Sequence, residues 1–286
     1  MAHKEIRNKI DAIKKTQKIT NAMQMVAASK IKKAQKLMET SRPYAKRIQE
    51  VMAHVANSNA ECLYPFWRGR EKTQRVGYIL IATDRGLCGG LNVNLFRKAL
   101  EDADQWRRQN IAVDWCLFGS KAKNFFKSIA ASILAQTEKI GDRPTIANLV
   151  GGVRVILKAY EEGTLDRVFI VHNEFISKVR QQPVIMQFLP VPPEKTTHKY
   201  LRDYIYEPDA KQLLHKLLVR YLEMQVYQAV VSNIACEQAA RMVAMKNATD
   251  SAAEILDDLN LIYNKARQEA ITRELADIVG GVAALE

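Results

Sequence analysis

The sequence is dominated by one long stretch, residues 209–279, which reads DAKQLLHKLLVRYLEMQVYQAVVSNIACEQAARMVAMKNATDSAAEILDDLNLIYNKARQEAITRELADIV. It contains neither Gly nor Pro, the two residue types that most often interrupt regular structure. Pro208 precedes it and Gly280-Gly281 follows it, which predicts a helix that starts and stops at these points. At about 1.5 Å per residue, such a helix would be roughly 105 Å long.

Apolar residues recur along this stretch in alternating steps of three and four. Fourteen of seventeen positions in that series are apolar, and a heptad seam sustained over so many turns predicts a coiled coil. The series is Leu214, Leu217, Tyr221, Met224, Gln228, Val231, Ala235, Gln238, Met242, Met245, Thr249, Ala252, Leu256, Leu259, Tyr263, Ala266 and Ala270.

The N-terminal residues have the same pattern, with seven apolar residues among ten positions of the series. The series is Ile6, Ile10, Ile13, Gln17, Thr20, Gln24, Ala27, Ile31, Ala34 and Met38. Two seams at opposite ends of one chain predict an antiparallel pair of helices. Pro43 is compatible with a kink or with the first residue of a second helix, and an ordinary bundle is the alternative to a coiled coil.

Residues 75–206 have the composition of an α/β domain, because strand-like and helix-like segments alternate. This order predicts a mainly parallel, Rossmann-like sheet flanked by helices. The chain therefore divides into an N-terminal coiled-coil helix (1–57), a linker (58–74), the α/β domain (75–206) and a C-terminal coiled-coil helix (207–286). The predicted strands are 76–83, 111–119, 132–136, 168–172 and 184–189, and the predicted helices are 91–108, 121–128 and 146–162.

The charge is unevenly distributed along the chain, whose 43 Lys/Arg and 31 Asp/Glu give a net charge of +12. Residues 1–50 carry +9 and residues 207–286 carry −4. Such a contrast suits mutual attraction of the two ends or two different partners. No segment is long and apolar enough to predict a membrane span, and four distant cysteines predict neither a zinc site nor a disulfide framework.

A glycine-rich segment, TDRGLCGGLN at 83–92, lies between a predicted strand and a predicted helix. Glycines at a helix N-terminus can bind phosphate through backbone N–H groups. The segment lacks both the G-x-G-x-x-G spacing and the G-K-[ST] ending of nucleotide-binding loops. It therefore favours a tight strand–helix turn, with a small nucleotide-dependent enzyme as an alternative.

No catalytic, metal-binding or cofactor-binding motif is present, so no catalytic residue, metal or cofactor is expected. The five histidines lie in unrelated contexts, and neither G-x-S-x-G nor H-E-x-x-H occurs. Lysine clusters at 14–18 and 30–36 leave a basic coiled-coil nucleic-acid-binding protein as an alternative. No aromatic residue occurs between Met1 and Tyr44 to stack on bases, however.

Several segments together resemble the gamma subunit of bacterial rotary ATP synthases over the whole chain. They are TQKIT at 16–20, MVAASK at 25–30, TDRGLCGGLN at 83–92, YEP at 206–208, EQAARMVAMK at 237–246, YNKARQ at 263–268 and ITREL at 271–275. The resemblance implies a non-catalytic central rotor shaft that couples proton flow through a membrane c ring to ATP synthesis in beta subunits.

The partners that the resemblance implies are three alpha and three beta subunits, an epsilon subunit and the c-subunit ring, with delta, a and b subunits in the same complex. Nucleic acid is not expected. The implied location is the cytoplasmic face of the bacterial inner membrane, reached through partners alone.

The resemblance also implies roles for individual residues. Tyr204, Tyr206 and Glu207 would contact the c ring. An apolar tip that turns in a bearing would comprise Ile278, Val279, Val282 and Leu285. The beta subunits would contact Met23, Lys18, Lys30, Arg241, Lys246, Arg267, Gln268 and Thr272.

Overall fold

The computed structural model describes residues 2–58, 66–67, 69–70, 72–192 and 210–283. The chain forms two compact units, of which the helical unit comprises Met1–Ala27 with Arg241–Glu286 and the sheet unit comprises Ala28–Ala240. The elements in chain order are α1 (Ala2–Ser58), β1 (Arg75–Ile81), α2 (Leu91–Arg108), β2 (Ala112–Phe118), α3 (Ser120–Ser128), β3 (Ile133–Thr137), α4 (Ile146–Glu161), β4 (Arg167–Phe175), β5 (Gln181–Leu189) and α5 (Ala210–Ala283).

The sheet has five strands in the order β3-β2-β1-β4-β5. Strands β1 to β4 are parallel, as the alternation of strands and helices predicted, and β5 pairs with β4 in the antiparallel direction. Strand β5 begins three residues earlier than the predicted residue 184 and contains Pro183. Because β5 is an edge strand, a residue without a backbone N–H is tolerated there.

Each face of the sheet has its own apolar core. On one face Tyr78, Trp115 and Phe126 are fully buried. The rings of Tyr78 and Trp115 stack with centroids 4.9 Å apart, and the ring of Phe126 lies tilted against Trp115 at 4.4 Å. On the other face the alternate residues of β1, Ile79 and Ile81, pack in one cluster with residues of α4 and α5. This two-sided burial is typical of a parallel sheet covered by helices.

The described seam positions are buried or half-buried except Ala270, which is exposed, and the helices pair as expected. In the sheet unit, Gln228 Nε2 donates to Ser41 Oγ at 2.9 Å, and Asp142 accepts from both Lys30 Nζ at 2.7 Å and Gln238 Nε2 at 3.3 Å. Residues later in α1 thus lie beside residues earlier in α5, which confirms the antiparallel arrangement.

The helical unit pairs its two segments through the same seam positions. Thr20 and Thr249 share a hydrogen bond between their hydroxyls at 2.7 Å. Ile10, Ala27 and Ala252 are buried around the same seam. Polar seam residues that bond only in one alignment fix the register of paired helices.

Both long helices continue through residues that often end a helix. The expected stop at Gly280-Gly281 is wrong, because α5 continues to Ala283. Each glycine costs only about 1 kcal/mol in a helix, which does not by itself end one. Helix α1 likewise continues through Pro43, so no second helix begins there.

The four-part domain division stays a prediction. Much of its linker (59–65, 68 and 71) and its second boundary (193–209) lie outside the described residues.

Gly119, between β2 and α3, offers a test of the fold. Its φ is +98°, and an added Cβ would lie 2.5 Å from the Ala82 carbonyl oxygen. We expect Gly119→Ala to lower the free energy of unfolding by at least about 2 kcal/mol, since both backbone strain and a backbone clash oppose it. Urea denaturation of the full chain measures this loss.

Gly151 provides the matched control. It lies in helix α4 with no atom within 4 Å of an added Cβ, so Gly151→Ala should raise the stability by about 0.4–1 kcal/mol. Equal effects of the two substitutions would contradict the described geometry at Gly119.

Candidate partner-binding surfaces

The glycine-rich segment forms a turn whose polar groups bond to its own domain. Asn92 Nδ2 donates to Thr83 Oγ1 at 2.7 Å, and the Thr83 N–H donates to Asn92 Oδ1 at 3.3 Å. The turn thereby joins the end of β1 to the first turn of α2. This arrangement agrees with the tight strand–helix turn that the spacing favoured.

Asp84 in the same turn organises two neighbouring segments. Its carboxylate accepts hydrogen bonds from the backbone N–H groups of Ser120, Lys139 and Gly141 at 3.0, 3.1 and 3.3 Å. A carboxylate at the first turn of a helix is favoured by the unpaired N–H groups there. Asp84 therefore acts as an N-terminal partner of α3 and holds the loop that follows β3.

The helical unit presents surfaces of opposite charge on its two segments. Residues 1–27 hold six Lys/Arg and two Asp/Glu, whereas residues 241–286 hold five Lys/Arg and eight Asp/Glu. Most of these charged side chains are exposed where the structure describes them. A partner therefore meets a basic helix on one side of this unit and an acidic helix on the other.

Most of the predicted beta-subunit contacts lie on the helical unit with exposed side chains. These are Lys18, Lys246, Arg267, Gln268 and Thr272, whereas Met23 is half-buried. Gln268 and Thr272 are one helical turn apart and so share a face.

Two predicted contacts have partners within the chain. Lys30 belongs to the sheet unit and forms an ion pair with Asp142 at 2.7 Å. Arg241 is buried, with 8% of its surface exposed. Both side chains are less exposed than those of Arg267, Gln268 and Thr272.

The apolar tip is partly described. Ile278 and Val279 are 63% and 67% exposed. The side chain of Val282 and all of Leu285 lie outside the described residues, as do the predicted c-ring contacts Tyr204, Tyr206 and Glu207.

Further large apolar side chains are exposed on the helical unit that the sequence analysis did not single out. They are Ile19, Met25, Val26, Ile255, Leu261, Ile262, Ile271 and Leu275. Each lies outside the two heptad series. An apolar residue outside the seam is therefore the feature of the sequence that could have predicted these exposed side chains. Exposed apolar groups on this scale mark surfaces that partners cover.

The described residues contain no group of three or more His, Cys, Asp or Glu placed to hold a metal ion. No helix within those residues is long and apolar enough to cross a membrane. His172, the strand histidine, is buried, with 6% of its surface exposed.

These features define a class of protein: a subunit of a larger assembly, built from two long terminal helices and an α/β sheet, with charged and apolar helix surfaces for partners. A family model described as ATP synthase matches residues 2–285. The chain belongs to the gamma-subunit family of ATP synthases, the non-catalytic subunits that form the central rotor shaft.

Solved structures agree in fold. A chain of the Euglena gracilis mitochondrial ATP synthase (OSCP/F1/c-ring, rotational state 3) is 19% identical, with 99% of this chain and 94% of that chain covered and a TM-score of 0.68. A chain from the rotor of the same enzyme in rotational state 1 is 20% identical, with 94% and 99% covered and a TM-score of 0.63.

A chain from the central stalk and c-ring of the Tetrahymena thermophila mitochondrial ATP synthase is 22% identical, with 80% and 99% covered and a TM-score of 0.59. Identities this low establish a shared fold alone. The family match over nearly the whole chain favours the rotor shaft and gives no support to the nucleic-acid-binding alternative.

His172 makes a testable contribution to the pH dependence of stability. Burial lowers its pKa from 6.5 to about 4. Between these values the unfolded chain binds more protons than the folded one, so the free energy of unfolding should fall as the pH drops from about 6.5 to 4. The contribution of this group is on the order of 2–3 kcal/mol.

Urea denaturation at several pH values between 4 and 7 measures this dependence. The variant His172→Phe should lack this part of the slope, while other titrating groups contribute equally to both proteins. Identical slopes for the two proteins would show that His172 is not held neutral by the fold.

Proposed function

We propose that this chain turns inside a ring of three alpha and three beta subunits and couples proton flow through a c ring to ATP synthesis in the beta subunits. The observation that carries the proposal is the contrast between the basic and acidic helices of the helical unit. A symmetric surface would affect three identical partners equally, whereas this one presents a different face to each.

The coupling follows from differential contact. A ligand or partner shifts a conformational equilibrium only by the difference in its interaction free energy with the two states. Each beta subunit that faces a basic helix is biased differently from one that faces an acidic helix. Rotation then passes the same series of biases around the ring.

The exposed polar residues of α5 are suited to reversible contacts with the beta subunits. Arg267 offers a guanidinium with five N–H donors, and Gln268 and Thr272 add donors and acceptors nearby. Lys18, Met23 and Lys30 would face acidic segments of the beta subunits, and Arg241 and Lys246 would lie opposite on the second helix. Lys30 and Arg241 would have to share their present contacts within the chain with such a partner.

The end of α5 would form the bearing. Every described side chain from residue 267 to residue 279 is exposed, and Ile278 and Val279 are apolar. With Val282 and Leu285 they would turn within an apolar collar, where contacts lack the directionality that would resist rotation.

At the other end of the complex, Tyr204, Tyr206 and Glu207 would contact the c ring, beside the epsilon subunit. Each proton that crosses 100 mV releases about 2.3 kcal/mol, so several protons are needed for each ATP. The delta, a and b subunits would complete the complex.

We further propose that the chain itself catalyses nothing and that the chemistry belongs to the beta subunits. The complex would lie on the cytoplasmic face of a bacterial inner membrane, as the bacterial resemblance of its motifs implies. Fractionation of cells that express a tagged chain tests the location. An ATPase assay of the purified chain, compared with the complex that co-purifies with it, tests whether the activity belongs to the partners.

Arg267 and Gln268 provide the sharpest test of coupling. We expect the double substitution Arg267→Ala, Gln268→Ala to reduce ATP-driven proton pumping in membranes by roughly tenfold. Loss of a charge-assisted hydrogen bond is worth about 1.5–3 kcal/mol, and 1.4 kcal/mol corresponds to a factor of ten.

The matched control is Asn247→Ala, Ser251→Ala, which removes two exposed polar side chains from the same helix more than about four turns before Arg267. It should pump normally, and both variants should assemble to the same extent. Normal pumping by the Arg267/Gln268 variant would refute the proposed contacts with the beta subunits.

A further inference from the structure

The sheet unit contains a cavity of about 460 Å³ where β4 and β5 meet α1 and α5. This volume lies within the range of about 300–1,000 Å³ that is usual for small-ligand sites. His172, Ala229 and Ser232 are buried at its inner end, whereas Glu39, Glu174 and Met186 are exposed at its mouth. The rotor function proposed above makes no use of this cavity.

The charge of this cavity is opposite to that of the chain. Glu39 and Glu174 both line it, and among the described residues no Lys or Arg does. Neither carboxylate forms an ion pair within the part of the chain that the structure describes. In a protein with a net charge of +12, two carboxylates that the described residues leave without a cation between them form a local site for a positive group.

His172 adds an unpartnered polar atom to the inner end. Its Nδ1 is buried and has no hydrogen-bond partner in the described structure, and buried polar groups are almost always paired. Because burial keeps this imidazole neutral at pH 7, it adds no positive charge and can accept a hydrogen bond from a cationic donor.

Two glutamine side chains supply further acceptors. The amide nitrogens of Gln225 and Gln228 donate to the hydroxyls of Tyr221 and Ser41 at 2.8 and 2.9 Å. Their carbonyl oxygens accept no hydrogen bond from the residues that the structure describes. An amide whose nitrogen is held in this way presents acceptor capacity to a ligand.

The remaining walls are soft and apolar. Met38, Phe175 and Met186 line the cavity, and aromatic faces and thioethers pack well against a planar, weakly hydrated cation. A guanidinium has five N–H donors in a rigid plane, which can bond carboxylates in pairs while its faces lie on apolar groups.

We propose that this cavity binds the guanidinium of an arginine side chain carried by a partner protein. The carboxylates of Glu39 and Glu174 bind the charge, and His172 Nδ1 accepts a further N–H at the inner end. The walls of Met38, Phe175 and Met186 enclose the planar group. The inference stands independently of the rotor function.

Isothermal titration calorimetry on the full chain tests the proposal with Nα-acetyl-arginine methylamide as the probe. The matched compound is Nα-acetyl-citrulline methylamide, which has nearly the same shape but no charge. We expect saturable binding of the arginine compound and at least tenfold weaker binding of the citrulline compound. Equal binding of the two, or saturable binding of neither, would overturn the proposal.

Variants locate the binding. Glu39→Gln, Glu174→Gln should weaken binding of the arginine compound by about tenfold, because two charge-assisted contacts become neutral ones. Glu101→Gln, an exposed acid on α2, should leave it unchanged. The His172 imidazole signal, assigned by NMR with His172→Gln, should shift on titration of the unaltered chain. Binding that is insensitive to the Glu39/Glu174 change, or that leaves the His172 signal unmoved, would place the cation elsewhere.

Agmatine distinguishes the source of the guanidinium. It carries the same group without peptide atoms, so a site for a partner's side chain should bind the blocked arginine at least as tightly. Agmatine binding more than about tenfold tighter would assign the cavity to a free small molecule and overturn the partner assignment.

Discussion

The structure depends on how the middle of α5 is held against the sheet. Residues 218–240 of this helix are buried on nearly every side, so their polar side chains need partners inside the protein. Ser232 supplies the link, because its hydroxyl donates to the Asn173 carbonyl oxygen at 3.0 Å and accepts from the Phe175 N–H at 3.3 Å. The Ser232 hydroxyl thus both donates a hydrogen bond to the backbone of β4 and accepts one from it. These two bonds fix the position of α5 along β4.

The same principle governs the pairing of the terminal helices. An apolar seam alone allows neighbouring registers of similar energy. Polar residues within the seam remove that freedom, because Thr20 with Thr249, and Ser41 with Gln228, bond only when aligned. These bonds are individually worth about 1 kcal/mol, yet a shift would leave several of them unmade together. The register of the paired helices is therefore fixed by the polar residues of the seam.

Contacts with partner subunits depend on the side chains that the fold leaves exposed. The helical unit satisfies its seam internally and still exposes opposite charges and large apolar side chains such as Met25 and Leu261. A rotor subunit needs this combination, since a rigid interior transmits torque while an uneven exterior distinguishes three identical neighbours. The glycine-rich turn has the opposite character, because Asp84 and Asn92 bond within their own domain. Its glycines lie in a sharp turn that joins the end of β1 to α2.

The family was identified from seven segments that resemble the gamma subunits. The sequence also predicted the helices and the alternation of strands and helices, because heptad steps and the positions of Gly and Pro are local patterns. It also predicted the seam residues, since periodicity reports which side of a helix is apolar. It failed at Gly280-Gly281, where the local cost of glycine does not end the helix. The burial of Arg241, the ion pair of Lys30 with Asp142 and the meeting of Glu39 and His172 in one cavity depend on the folded arrangement of distant segments. Those outcomes join residues far apart in the chain, and their energies depend on packing that no local pattern encodes.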